Sequence, residues 1–333
     1  MQKKMTFGCL GFFAVLVVVF VLGPRVKIDT TLQKVTLPKD VEKYVLTNES
    51  RFSDLRAGTN KKIVWFDPTK KEQTDWSVVF IHGFSASRQE LDPVCIKVAQ
   101  GLKANLFYTR LTGHGRSNKA MSEASVHGWL NDGVEAIEVG RRLGKKVLLV
   151  GSSTGGSIAI WLTANSEYKP DMLVVSSANF FPKNKLSRIL LWPWGNVLVQ
   201  LLLGSHRQWK PANKMHAKMW THRYESKVLL PMMGLVQITN STDVSKIKTP
   251  TLLFYSKKDK VVDSSLIEQR FPLWGSKKKE LVHIEGEGPG HHVLAGDILS
   301  PGTNDKMIKH ILQFAGVKKT TIDDVLGKTK KTY

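Results

Sequence analysis

Ser153 lies in Gly151-Ser152-Ser153-Thr154-Gly155, a G-x-S-x-G spacing that follows the apolar run Val147-Leu148-Leu149-Val150. The helix-compatible run Gly156-Ser157-Ile158-Ala159-Ile160-Trp161-Leu162 comes next. Strand, G-x-S-x-G and helix is the context of a nucleophile elbow: small residues flank a serine whose hydroxyl a sharp turn holds out of the sheet. The following helix brings its positive N-terminal end to a developing oxyanion. A Gly/Ser-rich loop has the same spacing, so the chemical reading needs partners.

A serine hydroxyl needs a base to take its proton and a carboxylate to hold that base in one tautomer. Both follow in the chain. Asp259 stands just past the strand expected at 251–256, and the Gly/Pro-rich loop after the strand expected at 279–284 carries His291 and His292. His292 is assigned as the base because it directly precedes the apolar pair Val293-Leu294, with His291 its competitor. A tetrahedral intermediate also needs preorganised N–H donors. The residue after the nucleophile, Thr154, is one candidate. The loop His82-Gly83-Phe84-Ser85, which ends an earlier strand, offers Phe84 as the other. Gly83 allows close backbone approach, and His82 is expected to support the loop and not to act as the base.

These residues resemble the α/β-hydrolase superfamily, and within it the monoacylglycerol lipase, lysophospholipase and serine aminopeptidase-like group. The resemblance covers about residues 60–317. It rests on His82-Gly83-Phe84, Gly113-His114-Gly115-Arg116-Ser117, the elbow at Ser153, Asp259-Lys260-Val261-Val262 and His292-Val293-Leu294. It implies an α/β-hydrolase fold, with a mostly parallel central sheet, helices on both faces and an inserted helical cap. One position departs from the pattern. The loop that usually reads D-x-x-G-H-G-x-S has Arg110 where the aspartate stands, which puts its local salt bridging in question.

The elements that must position these groups alternate along the chain. Strands are expected at 62–66, 76–81, 106–111, 147–152 and 172–177, and helices near 89–103, 126–143 and 155–165. Gly144 is expected to end the second of these helices by a C-terminal cap. Met307, Ile308, Ile311, Leu312 and Phe314 predict a last helix over 303–317. Apolar strands alternating with helices imply a parallel sheet covered on both faces. The core is thus expected at 61–178 and 248–317. Residues 179–247 interrupt the alternation without a strand pattern and read as a helical lid. Its apolar residues are interleaved with Lys183, Lys185, Arg188, Arg207, Lys210, Lys214, Lys218, Arg223 and Lys227, and Glu225 is the only acid across 179–230. That pattern fits an acyl pocket with a basic outer face on anionic lipid, or a lid whose apolar residues simply pack on the body.

At the N-terminus Met1-Gln2-Lys3-Lys4 precedes an uncharged run from Met5 to Pro24, just long enough to span a bilayer. No A-x-A cleavage pattern ends it, so residues 1–24 are expected to be an uncleaved membrane anchor, with a cleaved signal peptide the alternative. The catalytic domain is then expected outside the cytoplasm. Residues 25–60 read as a linker with a short amphipathic piece at 41–46, and 318–333 as a solvated basic tail.

Composition narrows the chemistry. The 333 residues include only two cysteines, Cys9 and Cys95, so no disulfide framework is implied. The ten histidines lack metal-ligand spacing, and P-loop and dinucleotide fingerprints are missing, so neither metal nor cofactor is expected. The net charge of +21 suits a membrane surface, since no nucleic-acid motif accompanies it. The expected function is a serine esterase acting on monoacylglycerol- or lysophospholipid-type substrates. A non-catalytic ligand- or partner-binding member of the fold is the alternative from another class, and acyl transfer or peptidase activity the alternatives within enzymes. A peptidase needs an acidic site for a free amino terminus, which the lid scarcely offers. Epoxide or haloalkane chemistry needs Asp at the elbow.

Overall fold

The computed structural model describes residues 13–327. Its strands are β1 (Lys62–Val64), β2 (Thr74–Ile81), β3 (Asn105–Tyr108), β4 (Gly144–Ser152), β5 (Met172–Ser176), β6 (His206–Gln208), β7 (Arg223–Glu225), β8 (Thr251–Tyr255) and β9 (Lys279–His283). Seven of them form one sheet in the order β1-β3-β2-β4-β5-β8-β9. β1 runs antiparallel to β3, and every other pairing in this sheet is parallel. The chain therefore has the α/β-hydrolase architecture.

The central strand β4 shows why its sequence is apolar without a break. Val147 and Leu149 face the helices Val126–Leu143 and Thr154–Asn165, and Leu148 and Val150 face Val94–Leu102 and Asn304–Phe314. Alternate side chains point to opposite faces, and here both faces are buried. The Ser125 hydroxyl caps the long helix by accepting from Gly128 N at 3.0 Å. At its other end Gly144 has an extended backbone, φ −146°, and begins β4 directly in place of a left-handed cap. A side chain there would strike the backbone of Trp76 and Ser77 on β2.

Local chemistry explains several departures from the expected elements. The helix expected at 89–103 is split into a single turn, Arg88–Leu91, and Val94–Leu102. Pro93 forces Asp92 into an extended conformation, ψ 137°. Residues 179–247 hold the helices Gly195–Leu203, Lys214–Met219 and Leu229–Asn240, together with the antiparallel hairpin β6–β7. β6 is wholly exposed and polar, so no apolar alternation marked it. Lys319–Gly327 is a helix that buries Ile322 and Val325, while residues 328–333 lie outside the described residues.

The expected membrane anchor must be corrected. Residues 1–12 lie outside the described residues, and 13–21 form a helix. No helix among the described residues is long and apolar enough to cross a membrane. The single-pass anchor and the location built on it are not supported. The helix instead leans on residues 179–247: Phe20 meets Trp192 edge-on at 6.3 Å, and Trp194 Nε1 donates to Val19 O at 3.1 Å.

Residues 25–60 run against the body, where Ile28, Leu32, Val35 and Leu37 pack on the core. The helix Val41–Ser50, capped by the Asp40 side chain, buries Val41, Val45 and Glu49 along one stripe. Glu49 meets Arg110, the residue that departs from the family pattern, through Nε at 2.9 Å and Nη2 at 2.7 Å. Both side chains are almost fully buried. Burial alone would raise the Glu49 carboxyl, but Arg110 and the Lys61 N–H outweigh it and hold it below its ordinary range. Removing one partner strands the other charge in the core. Glu49→Ala should therefore cost about 3–5 kcal/mol in denaturant unfolding. Adding Arg110→Leu to that variant should recover most of the loss.

Candidate active site

The β4-to-helix turn places Ser153 at φ 49° and ψ −110°, a conformation that side-chain-bearing residues rarely adopt. Ser153 N donates to Ser176 O at 2.8 Å, and Ser157 N to Ser153 O at 2.9 Å, so strand and helix hold the turn from both sides. Glycine is required around it. A Cβ on Gly151 would lie 2.7 Å from Gly155 O, and one on Gly155 would strike the carbonyls of Ile81 and His82.

Ser153 Oγ lies 2.9 Å from His292 Nε2. His292 Nδ1 lies 2.8 Å from Asp259 Oδ2. The other Asp259 oxygen accepts from Val261 N at 2.7 Å and Val262 N at 2.9 Å, which fixes the carboxylate. A carboxylate on Nδ1 makes that nitrogen the proton carrier and leaves Nε2 free to accept from the serine. Ser177 Oγ also holds the histidine backbone by donating to His292 O at 2.6 Å. His291 turns elsewhere: its Nδ1 donates to Gly286 O at 2.6 Å. Burial alone would depress the His292 imidazole. Asp259 and, more weakly, Glu90 outweigh burial and hold it above its ordinary value.

The loop after β2 is built to leave one amide free. Gly83 N donates to Glu90 Oε2 at 2.7 Å, and Ser85 N to His114 Nε2 at 2.9 Å. Between them Phe84 N has no acceptor among the described residues, and neither does Thr154 N at the start of its helix. His82 is fully buried. It accepts from Leu111 N at Nε2, 3.2 Å, and donates from Nδ1 to Gly83 O, 2.9 Å. Burial pushes its pKa down to about 4 and puts that of His114 well below the usual value, so both are neutral braces of the loop.

Ser153 opens into a cavity of about 460 Å³. Phe84, Leu229, Met232, Val261 and Leu299 supply apolar wall, and Arg207 and Lys210 stand on its cap side. Sequence reasoning did not single out Glu90, which sits in a stretch read as ordinary helix. The signal was its place seven residues after Gly83 and three before Pro93. Two cap cations are already paired: Lys185 with Asp263, and Lys227 with Glu225 at 2.7 Å.

The family described as serine aminopeptidase, S33, matches residues 72–295, well over half of the chain. No curated protein matches it. Among solved structures it is similar to one from the study of LipS and LipT, two metagenome-derived lipolytic enzymes, with TM-score 0.60, 17% identity, and coverage of 78% of this chain and 98% of that one. A soluble variant of monoglyceride lipase from Saccharomyces cerevisiae, in complex with a substrate analogue, gives TM-score 0.54, 14% identity, and coverage of 86% and 97%. Paleococcus ferrophilus monoacylglycerol lipase gives 0.54, 16%, and coverage of 76% and 98%. At these identities the structural likeness concerns the fold.

The geometry makes Ser153 the nucleophile to test. A fluorophosphonate probe should label it, Ser153→Ala should abolish labelling, and Ser152→Ala should keep most of it. His292→Ala and Asp259→Asn should each slow labelling by about 10⁴-fold or more. His291→Ala and Asp263→Asn should cost less than about tenfold. Label on Ser152, or a silent His292→Ala, would overturn the assignment. The base must be neutral to work, so the rate should fall as pH drops through an ionisation above about 6.5, the ordinary imidazole value. A pH series of labelling rates reads this directly.

Proposed function

The chain belongs to the serine aminopeptidase, S33, family of α/β hydrolases, and from that premise we propose that it hydrolyses carboxylic esters of lipid-like acyl chains through Ser153, His292 and Asp259. The observation that carries this reading is the unbroken hydrogen-bond path from Ser153 Oγ through the imidazole to Asp259.

Ser153 Oγ attacks the ester carbonyl while His292 Nε2 takes its proton. The carbonyl oxygen becomes the tetrahedral oxyanion and accepts from Phe84 N and Thr154 N. Asp259 stabilises the imidazolium without taking its proton. Collapse breaks the bond to the alcohol, which leaves with the proton from His292 and forms the acyl-enzyme. Water then repeats the sequence, giving its proton to His292 and releasing the acid.

The cavity favours an ester over a peptide. A free amino terminus needs an exposed carboxylate, and Glu90, the one acid among the residues lining the cavity, is spent on Gly83 N. The apolar wall suits an acyl chain of the monoacylglycerol or lysophospholipid kind. Arg207 and Lys210, both exposed, tilt the choice toward an anionic head group. The further exposed cations Lys183, Arg188, Lys214 and Lys218 suit the anionic lipid in which such substrates reside.

A p-nitrophenyl ester series should show kcat/KM rising from acetate toward medium-length acyl chains. Arg207→Glu with Lys210→Glu should then lower kcat/KM for a lysophospholipid by about tenfold. Monoacylglycerol of the same acyl chain should change by less than about twofold. Equal losses on both lipids would remove the head-group reading and leave the esterase reading standing. Absence of ester hydrolysis by a chain that still labels at Ser153 would favour acyl transfer.

A further inference from the structure

Glu90 is a buried carboxyl, 3% exposed, on the wall of the cavity that holds Ser153. Its Oε2 accepts from Gly83 N at 2.7 Å. A Cβ on Gly83 would come within 2.7 Å of Glu90 Oε1 and 3.3 Å of Ser153 Cβ, so the carboxyl and the serine both flank the Gly83 backbone closely. The Ser152 hydroxyl interacts with Glu90 from β4, and Glu90 in turn acts electrostatically on His292. No arginine or lysine is paired with it among the described residues.

Resting on the hydrolase reading above, we propose that Glu90 is a positioning residue for this reaction: it clamps Gly83 so that Phe84 N stays turned to the cavity, and it brings a second carboxyl to the cavity that His292 also lines.

The clamp follows from the donors. Three successive amides, Gly83, Phe84 and Ser85, would otherwise compete for the oxyanion. Glu90 takes the first and His114 the third, so the middle one is preorganised without cost at the moment of reaction. Glu90 is itself held from behind, since the backbone of Gly296 packs against its carbonyl so closely that no side chain could stand there.

The electrostatic part follows from burial. Burial raises the Glu90 carboxyl to about 7, against the opposing pull of Gly83 N, His292 and Ser152. The other groups near it are the Cys95 thiol, which burial keeps neutral, and, across the cavity, Arg207, Lys210 and His216, the last pushed down to about 4 by burial. Glu90 and His292 each favour the charged form of the other. When Glu90 ionises it favours the imidazolium, so removing its charge must lower the pH at which His292 loses its proton.

Two substitutions in the full chain separate the clamp from the charge. Glu90→Gln keeps an oxygen for Gly83 N and loses the charge. Its kcat should fall at least about tenfold less than that of Glu90→Asp, while the acid limb of kcat/KM for a p-nitrophenyl ester moves down by about half a pH unit or more. Glu90→Asp keeps the charge and loses the reach. Its acid limb should stay near wild type while kcat falls by about 10²-fold, with KM little changed, as for a lost oxyanion donor. Circular dichroism melts of both variants check that each is folded, and if one is not, the other still decides. A Glu90→Gln profile that superimposes on wild type overturns the electrostatic role. A Glu90→Asp variant with wild-type kcat overturns the clamp. A wild-type chain inert toward esters overturns the hydrolase reading, and this proposal with it, and is told apart from both by the wild-type control.

Discussion

The turn at Ser153 is the constraint on which the rest depends. A non-glycine residue at φ 49° and ψ −110° costs about 1–3 kcal/mol and persists only where its surroundings over-determine it. Here they do. β4 is held between β2 and β5, the Ser153 amide is fixed by Ser176 O, and the helix Thr154–Asn165 closes on the turn through Ser157. Gly151, Gly155 and Gly156 allow a strand end, a turn and a helix to approach at distances that a Cβ would forbid. The turn brings the Ser153 hydroxyl to 2.9 Å from His292 Nε2 and leaves the Thr154 amide without an acceptor at the helix N-terminus among the described residues.

Around that turn the fold sorts polar groups by whether they can change charge. His82 and His114 are buried, hydrogen-bonded at both nitrogens and kept neutral, so they act as rigid spacers. Only His292, with a carboxylate on one nitrogen and the serine on the other, is held above its ordinary value. Burial lowers all three histidines, and they differ because only His292 has a carboxylate partner strong enough to outweigh it. The buried Glu49–Arg110 pair lies further back in the same loop system, where Arg110 Nη1 donates to His114 O at 3.1 Å. It links the helix before the sheet to the loop that carries His114.

Sequence made some of this legible and hid the rest for physical reasons. The elbow could be read because a tight turn restricts residue type at fixed spacing, and Ser153, Asp259 and His292 follow β4, β8 and β9 in a chain whose sheet strands are apolar runs. Side-chain pairings across long separations leave no such trace. Glu49 and Arg110 lie sixty-one residues apart, and each alone looks like a surface charge. Glu90 sits in a stretch whose apolar spacing suggests one helix, and only Pro93 hints at the break that turns its carboxyl inward. β6 carries no apolar alternation because its short strand is fully exposed. The run at 5–24 has the composition of a span, but composition cannot register that Phe20 and Val19 meet Trp192 and Trp194.

The base of the cap and the loop bearing the acid are physically one unit. Lys183 N donates to Val261 O at 2.8 Å, Asp263 N donates to Phe181 O at 2.8 Å, and Lys185 pairs with Asp263. Val261 and Val262 are the residues whose amides orient Asp259, and Val261 also lines the cavity. A displacement of the cap at Phe181–Lys185 would therefore pull on the two amides that fix the carboxylate. The same five residues cannot serve as a free hinge without disturbing the histidine tautomer. A bend that spares these contacts lies outside Phe181–Lys185, for example in the stretch that leads to Trp192 and the helix Gly195–Leu203. Residues 186–203 line none of the cavity beside Ser153, so the cavity wall and the amides that fix Asp259 both lie outside that stretch.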